Sequence, residues 1–566
     1  MKTQIHCLAD QLLKRCPKSG RVVGVRRDTR LARVLFPLVG LLSIGWFLLR
    51  TLPEPRRANY PCQNVAAGIG AGFIAWLSVL LLTVTGLRFI RRRVGVVAAV
   101  TVGVAAVAFV HYSDSFAATD PSGPPDTKAF WALEGANQPM GAGRGLFPGR
   151  VVWVRDTAST SWDGKEKSWW DDLHTDQAVV SRMFSKMLTA YTGSADDKAA
   201  WEALIKYYNR THGRGDVAYK SGEKIVIKIN ANHDKKSYEW DNEAHPSPAA
   251  VYALVAQLID VVGVAGNDIT IAEPSQLIGN PIYNKIRAHP GAEYQKVWFA
   301  DRDGAKAPQR IYPEPGTNSA IYFTMLDQAK GTFTKQVKFN LPKCYADATY
   351  LINLSILRGH RVFGVTLSSK NHFGSIYNTE LDLYKPGETG NSAQKRFPKN
   401  MGLHSFALWD YQINNKLGEP SFSPFILGHK DLGGKELLYL VDGIFTSKGN
   451  EGGMIKFGSL DNDWCSSLFI SQDPVALQSV GADILCHEPN VITDNPSFVP
   501  GLDNFLRESA LANNPPSGFK YDPEGDGISI SESLGVHEHW NNATDRKYSR
   551  NLGTGKGIEL IYLGKP

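Results

Sequence analysis

At 566 residues the chain exceeds one ordinary domain, and its 43% apolar and 21% charged residues exclude a wholly disordered chain. The formal charge of +7 is unevenly placed: residues 1–111 hold 16 of the 62 Lys and Arg but only three of the 55 acids, Asp10, Asp28 and Glu54. The remainder, with 46 bases against 52 acids, is mildly acidic, which argues against a nucleic-acid partner.

Three apolar runs, 34–49, 65–87 and 94–110, predict a membrane region over residues 1–111 with three transmembrane helices. Nine basic residues precede the first run, and Arg88, Arg91, Arg92 and Arg93 separate the second from the third. The positive-inside rule then places the amino terminus and the 88–93 loop in the cytoplasm, and everything after Val110 outside. A competing reading makes the third run a signal peptide cleaved after Ser115-Phe116-Ala117. Both readings put residues 147–566, an α/β domain behind a 112–146 linker, on the extracytoplasmic side, and the three-span reading, the one adopted, places the chain in a bacterial inner (cytoplasmic) membrane. Six widely spaced cysteines include no pair with the two-residue gap of a zinc ribbon or ferredoxin-type site, so no iron–sulfur cluster is expected. Cys465 and Cys486 are either one disulfide or two buried thiols.

The predicted elements begin with a strand at 151–155 and a Trp-rich loop at 162–172. The aromatic and acidic stretch 162–174 is expected to pack as a lid, the commoner use of such a loop; the alternative is a surface whose Trp faces stack on a sugar or cell-wall polymer. Thr175 is positioned to cap a helix reaching about Tyr191, and a second helix spans about 196–209. A strand over 224–230 places Ile225, Ile227 and Ile229 on one face and Val226, Lys228 and Asn230 on the other. Ser247-Pro248 then starts a helix to about Val262, and Ile269 begins the next strand, which is the pattern of a right-handed parallel β-α-β unit. A strand at 348–357 leads into a loop carrying His360, Lys370, Asn371 and His372. Strands at 437–445 (with Asp442-Gly443) and 467–471 follow, then a helix from Asp473-Pro474 to about Leu485, and a tail over 487–566 that wraps the core. The fold class expected is α/β: a mostly parallel sheet covered by helices on both faces, preceded by the three transmembrane helices.

Parallel sheets bind ligands beyond the carboxyl ends of their strands. Lys228, Asn230 and Asp442 are accordingly the candidate substrate-binding residues, and His360, Lys370 and Asn371 the candidate catalytic ones, offering a titrating imidazole, a cation and an amide. His372 is the weakest member of that loop, and Asp473 reads as a helix cap. His537 and His539 share one face of an extended segment, with Glu538 opposite, and are the candidate metal ligands; Asp442, His360 or His404 would supply a third.

The motifs Lys228-Ile229-Asn230, Ser247-Pro248, Arg358-Gly359-His360, Lys370-Asn371-His372-Phe373-Gly374, Asp442-Gly443 and Asp473-Pro474-Val475-Ala476 occur in an order that resembles the family known as domain of unknown function 362. The resemblance spans about residues 220–485. The flanks, Phe147–Trp153 and His537–Asn541, look like a branch of that family with amino-terminal membrane segments and without the cysteine-rich cluster domain of many members. No established reaction follows from the resemblance. The functional expectation is an enzyme acting on a polar or anionic small molecule at a strand-end cleft, with a divalent metal as the candidate cofactor. The alternative is a non-catalytic cell-envelope binding or scaffold module using the same cleft.

Overall fold

The computed structural model describes residues 135–564, except 166–167, 232–236, 241–242, 305–306, 328–331, 361–363, 377–416, 448, 450–452, 489–490 and 492–497, together with 13–15, 22–25 and Ile44. Apart from Ile44, the three expected membrane spans lie outside the described residues. Among the described residues no helix is long and apolar enough to cross a membrane. The chain divides into two compact units, Met1–Gly123 and Pro124–Pro566. In the first, strands Leu13–Arg15 and Val22–Val25 pair antiparallel.

Among the described residues of the second unit, nine strands form one sheet: β1 Arg150–Arg155, β2 Ile225–Ile229, β3 Ile269–Glu273, β4 Trp298–Asp301, β5 Arg310–Ile311, β6 Tyr350–Ile356, β7 Glu436–Gly443, β8 Ser467–Ser471 and β9 Glu559–Gly564. Their spatial order is β9-β1-β8-β7-β6-β2-β3-β4-β5. All neighbours pair in parallel except β8, which runs antiparallel to both β7 and β1. The β7–β8 link carries no crossover helix, and only a parallel return would require one.

The alternation read from the sequence is realised. Ile225, Ile227 and Ile229 enter one apolar core and Val226 the other, while Val152 and Val154 part from Val151 and Trp153 in the same way. The first face is covered by α1 Gln177–Thr192, α2 Asp197–Thr211, α3 Pro248–Ala256 and α4 Asn280–Arg287. The second is covered by α5 Ser368–Asn371, α6 Phe422–Gly428, α7 Pro474–Cys486 and α8 Phe498–Ala510. The expected mixed α/β architecture with a large, mostly parallel central sheet is present.

Local chemistry accounts for the helix starts. Asp176, one residue beyond the expected Thr175, caps α1 by accepting from the Val179 N–H. Asp196 caps α2, and Asp473 caps α7 through the N–H groups of Val475 and Ala476, with Pro474 in the first turn. Ser247 precedes Pro248 as expected, but its hydroxyl makes no cap; α3 is continued by a π-helical turn, Gln257–Val262. The 498–564 part of the tail supplies α8 and the edge strand β9 as well as wrapping, and β4 and β5 extend the opposite edge. Trp162 and Trp169 pack against Trp464, Trp240 and Phe445 inside the first core, so these rings are lid and core elements rather than a ligand platform. Cys465 and Cys486 are separate buried thiols.

Candidate functional site

Chain order and sheet order set the location. From β2 the chain crosses to β3, β4 and β5 on one side, whereas β6 lies on the other side of β2 and leads to β7. The carboxyl ends of β2 and β6 therefore flank a topological switch point, the place where open α/β sheets bind their ligands. Lys228 and Asn230 belong to the end of β2, Glu273 ends β3, and Arg358 follows β6.

The segment after β6 does not remain a loop at the sheet edge. α5 and the 3-10 turn His372–Ser375 place Leu367 and Phe373 in the second core, and the segment's polar groups meet a polar row on the sheet. Asn353 faces Lys228 in register. Its amide donates to Oε1 of Glu436 at 2.7 Å and to the Ser368 carbonyl at 3.0 Å, while its oxygen accepts from Asn371 at 2.8 Å. Nζ of Lys228 donates to Asn371 at 2.9 Å and to Oε2 of Glu273 at 2.9 Å. Glu273 also accepts from the Ala231 N–H at 3.0 Å and the Ser275 hydroxyl at 2.9 Å. His372 closes the far end, with Nε2 2.6 Å from Glu436 and Nδ1 2.9 Å from Ser375. A Cβ on Gly374 would collide with Oε1 of Glu273 and sit 2.9 Å from Lys228 Nζ, so only glycine lets this backbone approach the ion pair.

Above this row lies a more basic layer. Arg358 donates to Asn230 at 2.7 Å, to the Ala244 carbonyl at 2.8 Å and to Thr366 at 3.3 Å. Lys370 Nζ stands 4.4 Å from the centre of the Phe373 ring. Burial, followed by the charges of Arg358 and Lys228, holds the Lys370 pKa well below the usual lysine value, against the pull of Glu273. Burial likewise lowers Lys228, opposed by Glu273, and lowers Arg358 to about 10, opposed by Glu243 and Glu273. His360 sits two residues beyond Arg358, in a short strand paired with Gly364–Val365. Asn230, Arg358, His360 and Lys370 are only 2–7% exposed.

The structure thus joins Lys228, Asn230, Lys370 and Asn371 with Arg358 into one charged neighbourhood. Asp442, at the end of the adjacent β7, is engaged differently: its oxygens accept from the Ser247 N–H at 2.6 Å and the Ile444 N–H at 3.0 Å, stapling the start of α3 to the sheet. Burial raises its pKa to about 6 against those two donors. Glu273, Asn353 and Glu436 were absent from the sequence-derived site. A carboxylate ending an apolar strand and an amide inside another were the available signals, because buried polar groups need partners.

His537 and His539 lie in a separate buried cluster. The third residue beside them is Asp503 of α8, with one ligand atom from each of the three within 4.8 Å of the others. Asp442 and His360, offered as third ligands, are not part of this group, and His404 lies outside the described residues. Burial disfavours a charged His539, but Asp483 and Asp503 outweigh it and raise the pKa well above the usual histidine value. Glu538 points elsewhere and binds Ser549 and the Ile558 N–H.

No curated protein matches the chain. The model of the family described as Domain of unknown function (DUF362) matches residues 225–483, from the start of β2 to near the end of α7, and supports placing this core in that family.

Proposed function

We propose that the site at the β2/β6 switch point takes an anionic or polar small molecule, and that the protein is an enzyme acting on it. One observation carries this reading: three cationic side chains, Lys228, Arg358 and Lys370, are buried within electrostatic reach of one another around Glu273. Buried cationic side chains grouped together set up a positive local potential, which attracts an anionic group. Arg358 and Lys370 are the groups to grip that anion, with Asn230 orienting the Arg358 guanidinium. The inner Lys228–Asn371 row fixes the floor. Lys370, more readily neutral than an ordinary lysine, and His360 are the proton-handling groups of the enzymatic reading.

The test is the response of the full chain to inorganic phosphate and small carboxylates, read as thermal stabilisation and by calorimetry. Saturable stabilisation in the native chain that is lost in Arg358→Gln and Lys370→Met is the expected result. A native chain indifferent to every anion, or variants that respond equally, would refute the site. Saturable binding with no turnover of anionic esters would favour the non-catalytic envelope module.

The apolar runs and basic flanks of residues 1–111 support a second part of the reading: a family branch anchored in a bacterial inner membrane, with the α/β unit on the extracytoplasmic side. A topology reporter fused after residue 130 and active only in the cytoplasm would overturn that placement.

A further inference from the structure

In the buried cluster of the tail, ligand atoms of Asp503, His537 and His539 lie within 4.8 Å of one another, and the hydrogen bonds behind them bear on how the imidazoles are oriented. With the single Ser479 hydroxyl proton assigned to the Val475 carbonyl, 2.8 Å away, the Ser479 oxygen accepts from Nδ1 of His537 at 2.9 Å. His537 is therefore protonated at Nδ1, and its Nε2 carries a lone pair. His539 is oriented in the same sense: Nδ1 lies 2.7 Å from Oδ1 of Asp483. Asp483 also accepts from the Tyr548 hydroxyl at 2.7 Å and the Trp540 N–H at 3.1 Å, which holds its carboxylate in place behind His539. Each imidazole thus has its Nδ1–H held by an oxygen behind it, as in metal-ligating histidines whose outer partners fix the tautomer.

Asp503 is the second observation. Its side chain is fully buried, and neither oxygen has a hydrogen-bond donor among the described residues. Its ion-pair contact among those residues is Nε2 of His539, at 3.4 Å. A charge-assisted hydrogen bond from an imidazolium would close to about 2.7–2.9 Å. Two ligands of one tetrahedral zinc, with bonds of about 2.0–2.1 Å, stand about 3.3–3.4 Å apart. The observed spacing fits two ligands of one ion better than a direct salt bridge.

We propose that Asp503, His537 and His539 form a two-histidine, one-carboxylate site for a divalent transition ion, with zinc as the favoured occupant. Ser479 and Asp483 of α7 orient the two imidazoles. The ion would join α8 to the 537–539 segment of the tail, with α7 behind it. The residues are 0–1% exposed, so the role is a clamp for the tail rather than an open catalytic centre.

The experiment uses the full chain, purified without a polyhistidine tag. Elemental analysis should find close to one equivalent of zinc per chain, and a chelator-stripped sample should recapture zinc against a chromophoric competitor, with a rise in Tm. Asp503→Asn should weaken capture at least 100-fold, and Ser479→Ala, which removes an orienting partner rather than a ligand, about 10–100-fold. If Asp503→Asn fails to fold, Ser479→Ala and the stripped native chain still decide the matter. The proposal is overturned if the stripped chain captures no zinc, iron or manganese and its Tm ignores them, or if folded Asp503→Asn binds as tightly as the native chain. The first outcome would leave a protonated His539 between two carboxylates as the account of the cluster.

Discussion

Replacing Lys228 by Met tests whether the polar row is a single cooperative unit. The side chain is fully buried, and its ammonium bridges Glu273 and Asn371 at 2.9 Å each. Methionine of similar length fills the space but leaves the Glu273 carboxylate buried without its cation. Breaking a buried pair from one side costs about 3–5 kcal/mol. Glu273 keeps the Ala231 N–H and the Ser275 hydroxyl, which places the expected loss at the lower end, about 3 kcal/mol. Adding Glu273→Gln removes the stranded charge, and the double variant should return to within about 1–2 kcal/mol of the native chain. Urea titrations followed by far-UV circular dichroism, compared at equal m-value, measure both quantities. A loss below about 1 kcal/mol for Lys228→Met, or a double variant as unstable as the two single losses summed, would refute the cooperative row.

Three further outcomes are expected. Because the folded state lowers the Lys370 pKa, it sheds that proton more readily than the unfolded chain does. Stability should therefore climb as pH rises from the folded pKa towards 10.5, and Lys370→Met should flatten the climb while abolishing the anion response; an unchanged pH profile would contradict the buried-cation account. Asp442 behaves in the opposite sense, since its folded pKa of about 6 lies above 3.8. Its contribution is full below pH 3.8 and lost as pH rises through about 6, so Asp442→Asn should remove about 2–3 kcal/mol of the decline between those values, read from urea midpoints at pH 4 and pH 7. Burial raises the Cys465 thiol to about 12 and holds Cys486 well above the usual thiol value, so alkylation mapped by mass spectrometry should label both only after unfolding; rapid native labelling would show that the core is open there.

The fold was legible where a local rule decides it. Alternation in 225–229 assigned each side chain to its core, and Pro474 after Asp473 announced α7, because strand period and capping act over a few residues. Thr175 lost the cap of α1 to Asp176, one residue on, since both side chains suit the position and backbone geometry chooses. β4 and β5 are two to four residues long, too short for periodicity to speak, and β9 is an edge strand whose partner lies some four hundred residues away. Parts of the site were visible as residue types, notably Lys228, Asn230, Lys370 and Asn371. Their division into an inner row and an outer basic layer was not.

Taken by itself, the sequence determined an α/β unit with strand-end motifs, an acidic balance after residue 111 and a pair of histidines spaced for one face. Each of these follows from side-chain period, charge count or short-range backbone preference. Tertiary structure alone decided which strands meet, and so it decided the partners: Glu273 for Lys228, Glu436 for His372, backbone amides for Asp442 and Asp503 for His539. Such pairings join residues tens to hundreds of positions apart. They exist because a buried charge or amide must find its complement wherever the packed chain brings one, and no local pattern records that requirement.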